Sequence, residues 1–372
     1  MKILVLHRQQ SGVGYYRSWI PARALADRGH TVVWREDAPY KKWMVRESGS
    51  IEHWVKENVG KFDVIIVDRE LKRQDTAYLT GLRHYSPGCR MIVDFDDDFL
   101  QVPWWNTASV NFQPGHEYRE AGLEHLKLAE VTTVTTDALV ERFKPRTHCI
   151  RKVPNFIDER DWEGHPVNPE RANDPSIRIL YGGAAGHYGD LDEVRPGLER
   201  FLRNPPVPVR FICIGAAPSW LHELRREKPE RVINIDWQSV QAFPQVVAWG
   251  GFDLAVAPLA DHPFNEAKSN IKWLEAAVQR IPLVCSSVGP YKEIPDGCAI
   301  RVENEEDMWY EALCAAVEDA VLREGTRDRA YEAAKDQWGF AQAGPTWEDV
   351  ITEAMDRPRI VSADDARLPS GK

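Results

Sequence analysis

The chain has 372 residues, 43% hydrophobic and 28% charged, a balance that supports two packed domains of ordinary size. A formal charge of −10 argues against nucleic-acid binding by bulk charge, and no apolar run approaches the roughly 18 residues of a membrane span. Six cysteines at 89, 149, 213, 285, 298 and 314 form no CxxC pair, which excludes the common zinc and disulfide frameworks.

The opening residues Met1 to Arg8 hold too short an apolar stretch for a signal peptide. They read as a first buried strand, and a cytoplasmic location is expected. Short apolar runs then alternate with amphipathic stretches. Strands are predicted at 3–7, 31–35, 63–67, 90–95, 131–135 and 148–153, with helices at 16–28, 51–58, 75–84, 117–129 and 137–143. Helices of that length between strands require crossover connections and so a parallel sheet. Runs such as Ile3–Leu6 and Val64–Val67 are apolar throughout, as strands covered on both faces are.

A polar, proline-containing stretch from Val153 to Pro175 reads as an interdomain linker. The alternation restarts with strands at 177–181, 209–214, 232–235, 253–257, 283–286 and 299–302. Helices are predicted at 191–202, 240–249, 270–279, 305–322, 327–338 and 347–355, with a polar tail after Arg357. The expected organisation is α/β: a doubly wound Rossmann-like domain over 1–155, a second over 156–340, and a C-terminal helix and tail over 341–372. Two such sheets leave a central cleft between their strand carboxyl ends, where ligands bind in open parallel sheets.

Residues 253–291 carry the densest chemistry. Asp253 to Leu259 reads as a buried strand ending at Pro258, followed by a loop and by Lys268-Ser269-Asn270-Ile271-Lys272-Trp273-Leu274-Glu275. Ser269 or Asn270 is an N-cap, so the helix opens there and presents unpaired amides and a positive dipole end, a ready phosphate site. Lys268 and Lys272 place cations at the same end, an arrangement that opposes the dipole unless an anion is bound. Glu275 sits one turn below, suited to accept hydrogen bonds from ribose hydroxyls. An ordinary surface Lys–Glu pair is the bland alternative.

This passage, running on through Ile281-Pro282-Leu283-Val284 to Tyr291, resembles the donor region of GT-B glycosyltransferases, especially the family 4-like group found in phages and surface-polysaccharide clusters. The resemblance implies donor binding by Lys268, Ser269, Asn270, Lys272 and Glu275. The family's first glutamate of a pair does not carry over: eight places before Glu275 stands Ala267, with Glu266 one place off. Two glycine loops fit the same picture. Ser11-Gly12-Val13-Gly14-Tyr15-Tyr16-Arg17 follows the first strand and resembles the first-lobe loop that faces the reacting sugar and acceptor. Tyr181-Gly182-Gly183-Ala184-Ala185-Gly186-His187 resembles the loop that touches the diphosphate. Gly12, Gly14 and Gly183 are therefore expected at the donor, His187 near sugar or phosphate, and Asp190 as a helix N-cap. Ile214 and Trp237 are expected to border the base. The dinucleotide fingerprint GxGxxG is absent after the first strand, which argues against a dehydrogenase.

Asp94-Phe95-Asp96-Asp97-Asp98 closes the fourth strand. Packed carboxylates repel, so they bind a cation, raise a carboxyl pKa, or meet cationic side chains. If the reaction inverts, Asp94 or Asp96 is the expected general base toward an acceptor hydroxyl; if it retains, as the family 4 resemblance implies, the leaving phosphate itself takes the proton. Tyr15, Arg17, Asp97 and the adjacent Trp104 and Trp105 are expected to hold the acceptor, lobe packing being the alternative for the tryptophans.

The expected reaction moves a sugar from a UDP- or GDP-linked donor to a hydroxyl. No cofactor is required and no metal is predicted, although GT-B chemistry tolerates a divalent ion. Residues 1–160 carry 24 Lys and Arg against 22 Asp and Glu, the remainder 23 against 35. Basic pairs in the less acidic half (Lys41-Lys42, Lys72-Arg73, Arg142 with Lys144 and Arg146, Arg151-Lys152) favour DNA carrying a 5-hydroxymethylpyrimidine as acceptor. A surface polysaccharide or lipid-linked glycan is the alternative, and a sugar-nucleotide epimerase or non-catalytic binder is the alternative of another class.

Overall fold

The computed structural model describes residues 1–7, 11–36, 59–68, 73–86 and 88–360. The predicted helix 51–58 and the lysines Lys41, Lys42 and Lys72 lie outside the described residues, as does the Arg73 side chain.

Two parallel six-stranded sheets form the frame. The first holds β1 (Lys2–His7), β2 (Thr31–Glu36), β3 (Val64–Asp68), β4 (Arg90–Phe95), β5 (Val131–Val134) and β6 (Ile150–Lys152) in the order β2-β1-β3-β4-β5-β6. The second holds β7 (Ile177–Gly183), β8 (Val209–Gly215), β9 (Val232–Ile235), β10 (Leu254–Ala257), β11 (Leu283–Ser286) and β12 (Ile300–Val302) in the order β12-β11-β10-β7-β8-β9. The expected pair of doubly wound domains is thus the observed architecture.

The strands are buried on both faces, as their apolar runs require. Ile3 and Val5 pack with Ile20, Leu25 and Trp347, whereas Leu4 and Leu6 point the other way, among Leu79, Leu82 and Leu126. Chain order reverses beside β1 in the first sheet and between β7 and β10 in the second. Those are the switch points at which strand ends splay and a crevice opens. They bring the loops after β1, β7 and β10 to the central cleft.

Several boundaries differ from expectation: the helix predicted at 191–202 is two, Tyr188–Glu193 and Arg195–Arg203, and a helix at Ser219–Glu227 was not anticipated. Asp319 ends the helix Glu306–Glu318 and caps the next, Ala320–Trp338, by accepting from the Leu322 amide at 2.9 Å, so the helix predicted to run through it is split. The last helix spans Phe340–Asp356, longer than the predicted 347–355, and tolerates Pro345 in its second turn. It packs against the first lobe, with Trp347 fully buried near Ile20 and Leu25 and Glu348 paired with Arg28 at 2.6 Å. The chain therefore crosses between the lobes twice, and the crossings touch: the Ile157 amide donates to the Trp338 carbonyl at 2.8 Å. Among the described residues, no helix is long and apolar enough to cross a membrane.

Candidate active site

A cleft of about 350 Å³ lies between the lobes, lined by Gly12, Tyr16, Asp96, Asp97 and Asn155 from the first and by Gly183, His187, Lys268, Ser269, Lys272 and Glu275 from the second. Ile214, Trp237, Gln238, Val240, Phe243 and Tyr291 complete its second-lobe wall.

The helix Ile271–Val278 buries Trp273, Leu274, Ala277 and Val278, and this apolar face fixes which side meets the cleft. Asn270 is its N-cap residue, but its side chain makes no cap bond. Ser269 is used otherwise, its hydroxyl accepting from Asn155 Nδ2 of the first lobe at 2.8 Å. Lys268 lies 4.6 Å over the Phe264 ring, its ammonium 3.9 Å from Asp97.

Lys272 is the unusual cation. Its Nζ is buried and has no hydrogen-bond partner among the described residues; the Tyr181 ring lies 5.1 Å away. Burial lowers its pKa to about 8 against the pull of Asp190. A charged group in that state costs several kcal/mol unless an anion completes it. Glu275, one turn on, accepts a 2.7 Å hydrogen bond from the Tyr16 hydroxyl of the first lobe. Burial raises its carboxyl to about 7, opposed by Tyr16 and Lys272.

The acidic loop resolves differently from expectation. Asp94 is 1% exposed and does not line the cleft. Its carboxylate is held in a fork by Arg17, Nε to Oδ2 at 2.9 Å and Nη2 to Oδ1 at 2.6 Å, and takes the Thr133 hydroxyl as well. Arg17 also donates to the carbonyls of Val153 and Pro154 and to Asn155 Oδ1, at 2.8, 3.1 and 3.1 Å. The expectation of Asp94 as a base is corrected accordingly, since it is committed to Arg17 and stands off the cleft wall, whereas Arg17 lines the cleft with its guanidinium already engaged. Asp98 is likewise buried and paired with Arg142 at 2.8 Å. Asp96 and Asp97 are the members that reach the cleft.

The tryptophans part company. Trp105 packs on the helix Tyr188–Glu193, so close that a Cβ added at Gly189 would lie 2.6 Å from its ring, and it meets the His262 ring edge-on at 5.1 Å. That is lobe packing, and its expected acceptor contact is corrected. Trp104 is 85% exposed and does not line the cleft. Tyr15 donates to Asp161 at 2.7 Å and, with Gly14, lines a neighbouring cavity of about 640 Å³ beside Trp19 and Trp34.

The glycines are also of two kinds. A Cβ at Gly183 would fall 2.5 Å from the Tyr181 hydroxyl, so the protein itself demands glycine there. A Cβ at Gly12 would meet nothing within 4 Å. Asp190, expected as an N-cap, instead lies inside the helix Tyr188–Glu193 and bonds His187 Nδ1 at 2.7 Å. Tyr16, Asn155, Gln238, Phe243 and Tyr291 escaped the sequence reading, because their places depend on contacts between distant segments. Among the described residues, no group of three or more His, Cys, Asp and Glu side chains is arranged to hold a metal.

No family model and no curated protein matches the sequence. Solved structures do match the fold. HepE from Anabaena, solved with UDP, shares 14% identity at a TM-score of 0.65, over 95% of this chain and 100% of that one. Sucrose-phosphate synthase from Thermosynechococcus elongatus shares 14% at 0.67, over 95% and 98%. A glycosyltransferase from Rickettsia africae shares 10% at 0.66, over 96% and 99%. At these identities the likeness establishes the GT-B fold, two Rossmann-like lobes facing a cleft.

Proposed function

We propose that the chain is a glycosyltransferase that takes its sugar from a nucleoside diphosphate sugar, with UDP as the nucleotide. One observation carries this reading: the buried, unpartnered ammonium of Lys272 at an uncapped helix start, opening onto the cleft. A diphosphate supplies the anion that this arrangement lacks. Lys268 adds a second cation, Ser269 and Asn270 shape the turn, and Glu275 accepts the ribose hydroxyls. Ile214, Trp237 and Phe243 offer apolar and aromatic surface to the base. Gly12, which nothing among the described residues requires to lack a side chain, leaves room for the sugar. The solved HepE complexes with UDP and with UDP-glucose support the choice of nucleotide.

As the glycosidic bond breaks, negative charge grows on the leaving diphosphate. The helix start with Lys268 and Lys272 stabilises that charge, Lys272 from a buried position. In this reading Asp96, which lines the cleft beside Asp97, takes the acceptor proton.

For the acceptor, a glycan hydroxyl suits the site better than hydroxymethylated DNA. Arg142 is paired with Asp98, Arg151 with Glu353, and Lys152 with Asp137 and Glu293, so these cations are already answered by carboxylates. The decisive experiment is calorimetric titration with UDP, GDP and their glucose conjugates, followed by assay of UDP release from the tightest donor. Saturable binding of UDP and UDP-glucose with turnover supports the reading. Absence of binding by every nucleotide overturns it.

A further inference from the structure

Asp190 is 1% exposed, and its carboxylate is fully engaged. Oδ1 accepts from the Ala260 amide at 3.0 Å and from Asn265 Nδ2 at 2.7 Å, while Oδ2 faces His187 Nδ1 at 2.7 Å. Two donors fixed to the loop after β10 thus anchor the carboxylate that orients a ring after β7, across the switch point of the second sheet. An ionised carboxylate only accepts, so Nδ1 must carry the ring proton. In a neutral imidazole, Nε2 then holds a lone pair and also only accepts. Burial, then Lys272 and Lys268, push His187 down to about 4, which keeps the ring neutral. The donors around Asp190 outweigh its burial and hold its own pKa below the ordinary range.

A diphosphate oxygen is an acceptor too, and two acceptors cannot share a hydrogen bond. A sugar hydroxyl can donate. His187 lines the same cleft as Lys268 and Lys272 and feels the charge of both, so a sugar attached to a diphosphate held by those lysines would lie within its reach. We infer that Asp190 is a positioning residue that locks His187 in the Nδ1–H tautomer, so that His187 Nε2 accepts a hydrogen bond from a hydroxyl of the donor sugar and discriminates glycosylated from bare nucleotide. This inference rests on the cleft being a sugar-nucleotide site.

The substitution Asp190→Asn preserves the shape and the acceptor for Ala260 and Asn265, but offers His187 a donor. The ring must then move its proton to Nε2 or lose the contact. Calorimetry with UDP and with UDP-glucose, UDP-galactose and UDP-N-acetylglucosamine, on wild type, D190N and His187→Ala, reads the consequence. Both variants should weaken the tightest UDP-sugar about tenfold, one neutral hydrogen bond. UDP itself should bind within twofold of wild type, or more tightly to D190N, whose Nε2–H can reach phosphate. Nitrogen-15 shifts of labelled His187 should report Nδ1–H in the free wild type and in its UDP-sugar complex, and Nε2–H in D190N. Equal weakening of UDP and UDP-sugars overturns the inference, as does an Nε2–H or doubly protonated ring in the wild type or its complex. If the wild type binds no nucleotide at all, the donor reading fails instead, and the shifts of the free protein still decide the tautomer.

Discussion

Arg17 and Lys272 are both cations taken out of water, and they differ in what completes them. Arg17 is 1% exposed and spends its three nitrogens on a carboxylate, two backbone carbonyls and an amide oxygen. It ties the first helix to β4 and to the start of the interlobe segment. Lys272 has an aromatic ring at 5.1 Å and no hydrogen-bond partner among the described residues. A buried charge that the fold satisfies holds the fold together; one that it leaves unsatisfied is a cost that a ligand removes. The contrast separates structure from function without appeal to either residue's place in the sequence.

The largest effect should come from breaking the satisfied cation. Arg17→Ala leaves Asp94 buried without its partner, and we expect about 3–5 kcal/mol of lost stability. Scanning calorimetry should register a melting temperature lower by roughly 10 °C. Lys272→Met should do the opposite to the fold. The unliganded variant should melt no lower than wild type, while UDP binds about 100-fold more weakly, the loss of a charge-assisted contact to phosphate. If Lys272→Met unfolds as readily as Arg17→Ala, the distinction between the two cations is void.

Proton linkage sharpens the comparison. The folded pKa of Lys272, about 8, lies below the 10.5 of an ordinary lysine, so between those values the unfolded chain binds the extra proton. Stability of the free protein should therefore rise from this group as pH climbs from 8 toward 10.5. UDP affinity should run the other way, falling above about pH 8 as the ammonium is lost. Glu275 has the opposite sign: its folded pKa of about 7 exceeds the ordinary 4.5, so its contribution to stability declines as pH rises through that window. Melting curves from pH 5 to 10, with and without UDP, test both, and a nucleotide-induced shift that is flat with pH contradicts the assignment. Glu275→Gln should weaken UDP about tenfold by spoiling the ribose acceptor. Pyrophosphate binding, measured alongside, should hardly change.

The smallest stability effect belongs to Gly12→Ala. The added methyl meets nothing within 4 Å among the described residues, so stability should hold or rise by about 0.5 kcal/mol as unfolded-chain entropy falls. Turnover of the donor should nevertheless drop severalfold, since the methyl intrudes where the sugar is proposed to lie. Unchanged turnover would place the sugar elsewhere.

What the sequence made legible was local. A strand ending at Pro258, a capping residue and two lysines four apart mark the helix start, because dipole, cap and i,i+4 geometry are properties of consecutive residues. The alternation of apolar runs likewise announced two parallel sheets. What stayed hidden is set by distant segments meeting. The acidic run after β4 advertised repulsion, but not that Arg17 answers Asp94 from 77 residues away or that Arg142 answers Asp98. Tyr16 reaches Glu275 across 259 residues, and only the assembled lobes create that bond. Trp105 looked like a ligand-stacking ring until Gly189 was seen to make room for it.

The two lobe crossings, meeting at Ile157 and Gly339, give the molecule the plan of a door hung along one edge. Because the final helix returns to cover Ile20 and Leu25, the first lobe is assembled from both ends of the chain. A fragment cut after the first sheet lacks part of its own interior. The same shared edge, where the Ile157 amide meets the Trp338 carbonyl, is the line along which the two lobes are covalently joined.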